Sequence, residues 1–266
     1  PGLILGATSA GVPSIFMPAG PMLRGNWHGK TLGSGSDAWK YWDERRAGNI
    51  SAKDWGEMET GIARSFGVCM TMGTASTMTA LADVMGLCLP GASSIPAADA
   101  NHVRMASACG RRIVDMVWED LTPDRILTKQ AFLNAIIVAM AMGCSTNAVI
   151  HLTAIARRLG VELTLEDWDR LGRGVHTLVN LMPNGKYLME DFCYAGGLPA
   201  VLRELGENDL LNKRALTVNG ETIWDNNKGA PCHNRDVITP FKKPFKKNTG
   251  IAVLRGNLCP GRAIIK

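Results

Sequence analysis

The stretch GVCMTMGTASTM, residues 67–78, decides how the rest of the chain is read. It sets Cys69 among small and hydroxyl-bearing residues, flanked by Gly67 and Gly73, in a run that opens directly onto a helix. From Ser76 the apolar residues Met78, Leu81, Ala82 and Met85 recur at three-and-four spacing, which predicts a helix with one buried face. Thr74, Ser76 and Thr77 are candidate caps. A thiol just ahead of a helix start faces unpaired backbone N–H groups and the positive end of the helix dipole, both of which favour thiolate. Thiolate is the form that binds a metal or attacks carbon. A lone cysteine also serves as a small buried hydrophobe. The glycines at 67 and 73 favour the functional reading, because they leave room for something other than protein to approach the backbone.

Upstream, residues 12–17 form a short apolar run bounded by prolines, which predicts a buried strand. Pro18-Ala-Gly-Pro21 then turns the chain. In α/β sheets ligands sit at the carboxyl ends of strands, which makes Gly20 and Pro21 candidate lining residues. Residues 24–36 are polar and glycine-rich, as binding loops and mobile loops both are. They contain His28, which has the chemistry of a proton donor or anion contact but is explained more simply as a surface side chain. Residues 37–47 and 52–65 predict helices capped by Ser36 and Ser51 and divided by Gly48.

Downstream, residues 90–99 make a second small-residue loop with the hydroxyls Ser93 and Ser94. Residues 103–118 predict a helix whose inner stripe is Val103, Ala106, Ile113 and Val117. Residues 129–142, capped by Thr128 and stopped at Gly143, are apolar nearly all round and predict a buried helix. Cys144-Ser-Thr-Asn147 interrupts, and a helix follows over 148–159 with Gly160 as its stop. A hydroxyl-rich loop before a helix start suits a carboxylate or phosphate. Ser145, Thr146 and Asn147 therefore join Thr71, Thr74 and Ser76 as candidate substrate-lining residues. His151, one turn into that helix, reads as a half-buried structural histidine or as a catalytic one.

Thr164 caps a short helix over 166–171, and residues 175–181 predict a strand that ends in the turn Pro183-Asn-Gly185. Two short helices over 187–205 are broken at Gly196-Gly197. Glu190 and Asp191 are adjacent and point apart on a helix, which fits capping or solvation better than paired acid–base work. Asn219-Gly220 within 215–224 predicts a hairpin. A polar, lysine-rich linker then covers 225–248, and apolar runs at 251–254 and 263–265 predict strands. The expected fold is α/β: a helix-rich layered N-terminal-type domain with a buried sheet over 1–210. Residues 211–266 are then a linker, hairpin and first strands of a β-rich, barrel-like C-terminal domain.

At 266 residues the chain suffices for one large domain or one domain and part of another. No apolar run reaches bilayer length and no signal peptide is recognisable, so a cytoplasmic protein without membrane partners is expected. Seven cysteines, at 69, 88, 109, 144, 193, 232 and 259, form neither a zinc spacing nor a disulfide framework, and Cys88 and Cys109 read as core. The net charge of +5 is concentrated in Lys242, Lys243, Lys246 and Lys247, without a basic helix or stacking aromatics, so no nucleic-acid partner is expected. No G-x-S-x-G elbow supports a hydrolase. The ends, Pro1-Gly2 and Ile264-Ile265-Lys266, read as cuts from something longer.

Several ordered blocks carry a family likeness: GVCMTMGTASTM, CLPGASSIPA, GRRIVDMVWEDL, GCSTNAVIHLTAIA, NLMPNGKYLMEDF, YAGGLPAVL and IAVLRGNLCP. Together they resemble the dihydroxy-acid and phosphogluconate dehydratase family over the whole chain, and within it the sugar-acid (aldonate) dehydratases, such as those for arabinonate or xylonate. The resemblance implies a hydro-lyase that turns a 2,3-dihydroxy acid into a 2-keto-3-deoxy acid. It implies an iron–sulfur cluster, of the 2Fe–2S or 4Fe–4S type, held by three cysteines of which Cys69 is the third. The other two, and the magnesium ligands, are then expected upstream of Pro1, where residues 1–6 resemble the tail of C-D-K-x-x-P-G-x-x-x-G. The serine base is expected beyond Lys266, and a homodimer or homotetramer is expected. The alternatives are a dihydroxy-acid dehydratase of branched-chain amino-acid synthesis and a non-catalytic binding fragment.

Overall fold

Apolar periodicity and capping are expressed as twelve α-helices and two small sheets in a computed structural model that describes residues 1–247 and 250–266. In chain order these are α1 (Gly2–Ala10), the strands β1 (Gly25–Trp27) and β2 (Lys30–Leu32), α2 (Ser36–Arg46), α3 (Ala52–Ile62) and α4 (Thr74–Val84). There follow α5 (Ala100–Trp118), α6 (Pro123–Ile126), α7 (Lys129–Ala141), α8 (Asn147–Arg158) and α9 (Leu165–Gly172). The chain continues with α10 (Met189–Tyr194), α11 (Gly197–Glu207) and α12 (Ile223–Asn227), and ends with β3 (Ala252–Leu254) and β4 (Ala263–Ile265).

The centre is α7. Phe132 and nearly every residue from there to Ala141 are buried, as an all-round apolar helix requires, and α4, α8, α9 and α11 wrap it. Its one buried amide, Asn134, is satisfied: its carbonyl oxygen accepts the Asn212 N–H at 2.8 Å and its Nδ2 donates to the Asn212 carbonyl at 3.1 Å. Gly143 stops the helix with a φ of 59°. The predicted starts at Ser51 and Thr164 also hold. The Asp54 N–H donates to Ser51 Oγ and the Ser51 N–H to Asp54, while the Thr164 N–H donates to Asp167.

Several expectations change. No large buried sheet exists among the described residues; each sheet is a two-stranded antiparallel ribbon, β1 with β2 and β3 with β4. Residues 12–17 form no strand and Val12 is exposed; the Phe16 N–H donates to the Leu87 carbonyl, and Ile15, Phe16 and Met17 pack against the core. Residues 175–181 lie extended but make only isolated bridges, Thr177 with Lys246, Val179 with Ile238 and Leu181 with Tyr187. The hairpin at Asn219-Gly220 shrinks to the bridge Leu216–Thr222 before α12 begins. In each case the apolar residues pack against helices instead of a neighbouring strand, and alternation alone does not say which surface will cover them.

The stripe foreseen on α5 faces outward. Val103 and Val117 are exposed and Ala106 with them, while Cys109 and Met116 are buried and Ile113 is half-buried. Both faces of this helix carry apolar residues, so spacing could not choose between them. Cys88 and Cys109 are core, as expected. The linker over 225–248 buries Val237 and Ile238 completely; its last residue, Asn248, lies outside the described residues. Leu205 and Leu211, on either side of the expected domain boundary, share one hydrophobic cluster. No helix among the described residues is long and apolar enough to cross a membrane.

Candidate functional site

The loop of residues 67–73 is held from both sides by backbone hydrogen bonds. On one side the Val68 N–H donates to the Gly20 carbonyl and the Met22 N–H returns to the Val68 carbonyl, both at 2.9 Å, as a parallel bridge between Pro21 and Val68. Gly67, at φ 133°, packs so closely on this strap that a Cβ would sit 2.5 Å from the Met22 nitrogen. On the other side the Met72 N–H donates to Met182 and the Met189 N–H to Met70. Main-chain pairing of this kind fixes the loop whatever side chains it carries.

Cys69 is half-buried, and its sulfur faces hydroxyls. Sγ lies 2.8 Å from Ser34 Oγ and 3.0 Å from Thr71 Oγ1. Gly73 is the N-cap of α4 and has no side chain there; a Cβ at that position would lie 4.0 Å from Sγ, in the space beside the sulfur. Thr74, Ser76 and Thr77 do not cap the helix as expected. Ser76 Oγ donates to the carbonyls of Thr71 at 2.9 Å and Cys69 at 3.2 Å, bracing the loop from inside. Thr77 Oγ1, fully buried, accepts the Ser145 N–H at 3.0 Å.

That last bond brings the starts of α4 and α8 together. Thr74 Oγ1 and Ser145 Oγ are 3.0 Å apart, and Asn147 Nδ2 donates to Thr74 at 2.8 Å and to Ser145 at 3.2 Å. Thr146 is the N-cap of α8 and makes no side-chain cap bond; the first N–H groups of that helix instead turn back on the loop, Asn147 donating to Ser145 Oγ at 3.3 Å, Ala148 to the Ser145 carbonyl at 3.0 Å and Val149 to the Thr146 carbonyl at 3.1 Å. His151 is half-buried one turn further along α8. Gly20 and Pro21 belong to the strap behind Val68, so they support the Cys69 loop from outside.

The other cysteines divide by environment. Burial pushes the thiols of Cys144 and Cys193 up to about 11 and raises those of Cys88 and Cys109, which keeps all four protonated at neutral pH. Cys69 and Cys144 both stand in loops ahead of helices, but Cys144 is fully buried whereas Cys69 is only half-buried. Among the described residues no group of three or more His, Cys, Asp and Glu side chains could hold a metal ion.

Ser34 is the site residue that the sequence did not single out. It sits between Gly33 and Gly35, inside the loop already marked by its glycines, and only the fold brings it to Cys69. His28 is instead the first residue of the β1–β2 turn, with φ 49°, stacked on Trp27 and 3.3 Å from Glu57. Glu190 and Asp191 both serve Arg24: Glu190 accepts its backbone N–H, and Asp191 pairs with its guanidinium at 3.0 Å.

A thiol-bearing loop at a helix start, beside a second helix start lined by hydroxyls and an amide, agrees with the ordered sequence blocks, and the pattern of a known N-terminal domain matches residues 1–226. The chain belongs to the dihydroxy-acid/6-phosphogluconate dehydratase family. Among its relatives, the L-arabinonate dehydratase of Rhizobium leguminosarum is 53% identical over 266 residues, all of this chain and 46% of the relative. The D-xylonate dehydratase of Caulobacter vibrioides is 44% identical over 259 residues, 97% of this chain and 43% of the relative. A dihydroxy-acid dehydratase of Ignicoccus hospitalis is 41% identical over 271 residues, covering all of this chain and 48% of that protein. The chain thus spans just under half the length of these relatives.

Proposed function

We propose that this chain is part of a hydro-lyase that dehydrates an aldonate to a 2-keto-3-deoxy acid, with Cys69 as one ligand of an iron–sulfur cluster. The observation that carries this reading is the Cys69 sulfur, half-buried, turned to the hydroxyls of Ser34 and Thr71, and standing just ahead of α4. The names of the arabinonate and xylonate relatives support the aldonate class.

The residues in hand fit one cluster ligand. The thiol is faced by oxygen rather than packed in hydrocarbon, and glycine at 73 leaves space beside it. They do not make a complete site, so the remaining cysteines and the magnesium ligands are assigned to residues outside this chain, as is the base. When bound, the cluster and magnesium supply Lewis acidity for the departing hydroxyl and for the carboxylate end of the substrate.

This chain's own part is binding and orientation. The starts of α4 and α8 offer their dipole ends to a carboxylate, and Thr74, Ser145 and Asn147 offer hydrogen bonds to a polyol tail. Such a polar lining favours an aldonate over a branched-chain acid, which needs an apolar wall. Thr71 and Ser76 hold the loop, Gly20 and Pro21 brace it, and the Thr146 carbonyl accepts the Val149 N–H in the first turn of α8. The free thiols of the chain support a cytoplasmic protein. The exposed Val103, Val117 and Trp118 on α5 support a homo-oligomer.

The test is Cys69→Ser in the full-length protein. Loss of the cluster's visible absorption, with L-arabinonate dehydration at background, is expected. An unchanged spectrum overturns the ligand role, and turnover of a branched 2,3-dihydroxy acid alone overturns the aldonate assignment.

A further inference from the structure

Far from the loop just described, at the other end of α4, stands a buried carboxylate that the proposed chemistry does not use. Asp83 is 6% exposed, one residue from the end of the helix. Its Oδ2 accepts the Ser93 N–H at 3.1 Å and the Ser93 hydroxyl at 2.8 Å, and the Gly91 N–H also faces the group. All three partners belong to the 90–97 loop. Burial pushes the carboxyl up to about 6, against the lowering by these donors, so an ionised group is kept where hydrocarbon would suit the surroundings better.

What Asp83 holds leads back to Cys69. Ser93 lies in the short turn Ala92–Ser94, and just beyond it the Ala97 N–H donates to the Pro21 carbonyl at 2.9 Å. Gly20, at φ 80°, is pressed against the same segment: a Cβ there would stand 2.5 Å from the Ile95 carbonyl oxygen and 2.7 Å from the Ala97 nitrogen. Gly20 and Met22 clamp Val68, the neighbour of Cys69, and the chain then runs through Gly73 into α4 and returns to Asp83. The links close into a ring. One arc is the rigid helix α4, and the other is a relay of backbone hydrogen bonds that starts at Ser93.

We propose that Asp83 is a positioning residue for Cys69, fixing through Ser93 and the Gly20–Pro21 strap where the cysteine loop stands relative to the start of α4. A carboxylate suits this role better than its amide. Both main-chain groups that face it are donors, which a carboxylate can accept on either oxygen, whereas an Asn offers a single neutral acceptor oxygen and an NH₂ that needs acceptors of its own. The importance of the position rests on the reading of Cys69 as a ligand; the mechanical link does not.

Amide hydrogen exchange on the cluster-free full-length protein tests the link, with wild type, Asp83→Asn and Ser93→Ala compared at one pH. Asp83→Asn removes a buried charge, so the melting temperature at neutral pH is expected to stay within a few degrees of wild type. Exchange in segments 19–23 and 66–72 is expected to rise about tenfold, as loss of a charge-assisted hydrogen bond implies, while α9 is unchanged. Ser93→Ala, which keeps the backbone N–H, is expected to give a smaller rise in the same two segments. Faster exchange confined to 83–95, or spread evenly over the chain, overturns the proposal. Iron content of Cys69→Ser is a separate measurement, so failure of the ligand reading is distinguishable from failure of the link.

Discussion

The Cys69 loop and the β3–β4 ribbon are both short segments fastened to helices, but the fastenings differ in kind. The loop is held by backbone pairing and by glycines pressed against main chain, at Gly20 and Gly67. The ribbon buries Val253 in the core and is tied to α9 by charged side chains: Arg255 reaches Glu166 at 3.1 Å and Asp169 at 2.7 Å, and Arg262 reaches Glu166 at 2.8 Å. Backbone contacts are short-range and indifferent to pH and salt, whereas exposed ion pairs are weak singly and screened. A loop that must hold a sulfur in place needs the first kind.

The sharpest way to break that contrast is Gly20→Ala. It puts a Cβ into backbone atoms at a positive φ, and full-length protein is expected to lose about 2–4 kcal/mol in chemical denaturation. A loss below about 1 kcal/mol would mean that the strap gives way and does not fix the loop. Next comes Thr77→Val, which keeps shape but leaves the buried Ser145 N–H without its acceptor; about 1–3 kcal/mol is expected, with faster amide exchange at the start of α8. The smallest effect belongs to the ribbon. Arg255→Gln is expected to lower the melting temperature only slightly, and less still in high salt.

Acid sharpens the same comparison. Hydrogen bonds from Arg173 and Arg255 hold the Asp169 carboxyl down at about 2, below its ordinary 3.8. A depressed carboxylate contributes stability that is present above its unfolded value and is lost as pH falls from about 4 through 2. Exchange protection of 252–265 is therefore expected to fall in that window, below the pH near 6 at which protonation of Asp83 acts on segment 66–72. Simultaneous loss in both would show that the two fastenings are not independent.

Helices were legible wherever the signal was local. The capping residues Ser51 and Thr164, the stops Gly143 and Gly160, and the all-round apolar α7 need only near neighbours to act. Strands at 12–17 and 175–181 and a full hairpin at 219–220 were not fulfilled, because a strand exists only if a distant partner comes to pair with it. Cys69 was visible from its setting, as were Thr74, Ser145 and Asn147 from two separate loops. That these three meet, and that Ser34 reaches the sulfur, depends on contacts spanning 71 and 35 positions of chain.

The amino-acid order by itself determined where helices begin and end, which helix must be wrapped on every side, and that a thiol stands at the head of one of them, since caps, periodicity and glycine act within a turn or two. Only the tertiary structure decided which face of α5 turns inward, that no broad sheet forms, and that the starts of α4 and α8 lie side by side around a common set of hydroxyls. Those outcomes are choices among surfaces of similar apolarity, and only packing against remote parts of the chain distinguishes their free energies.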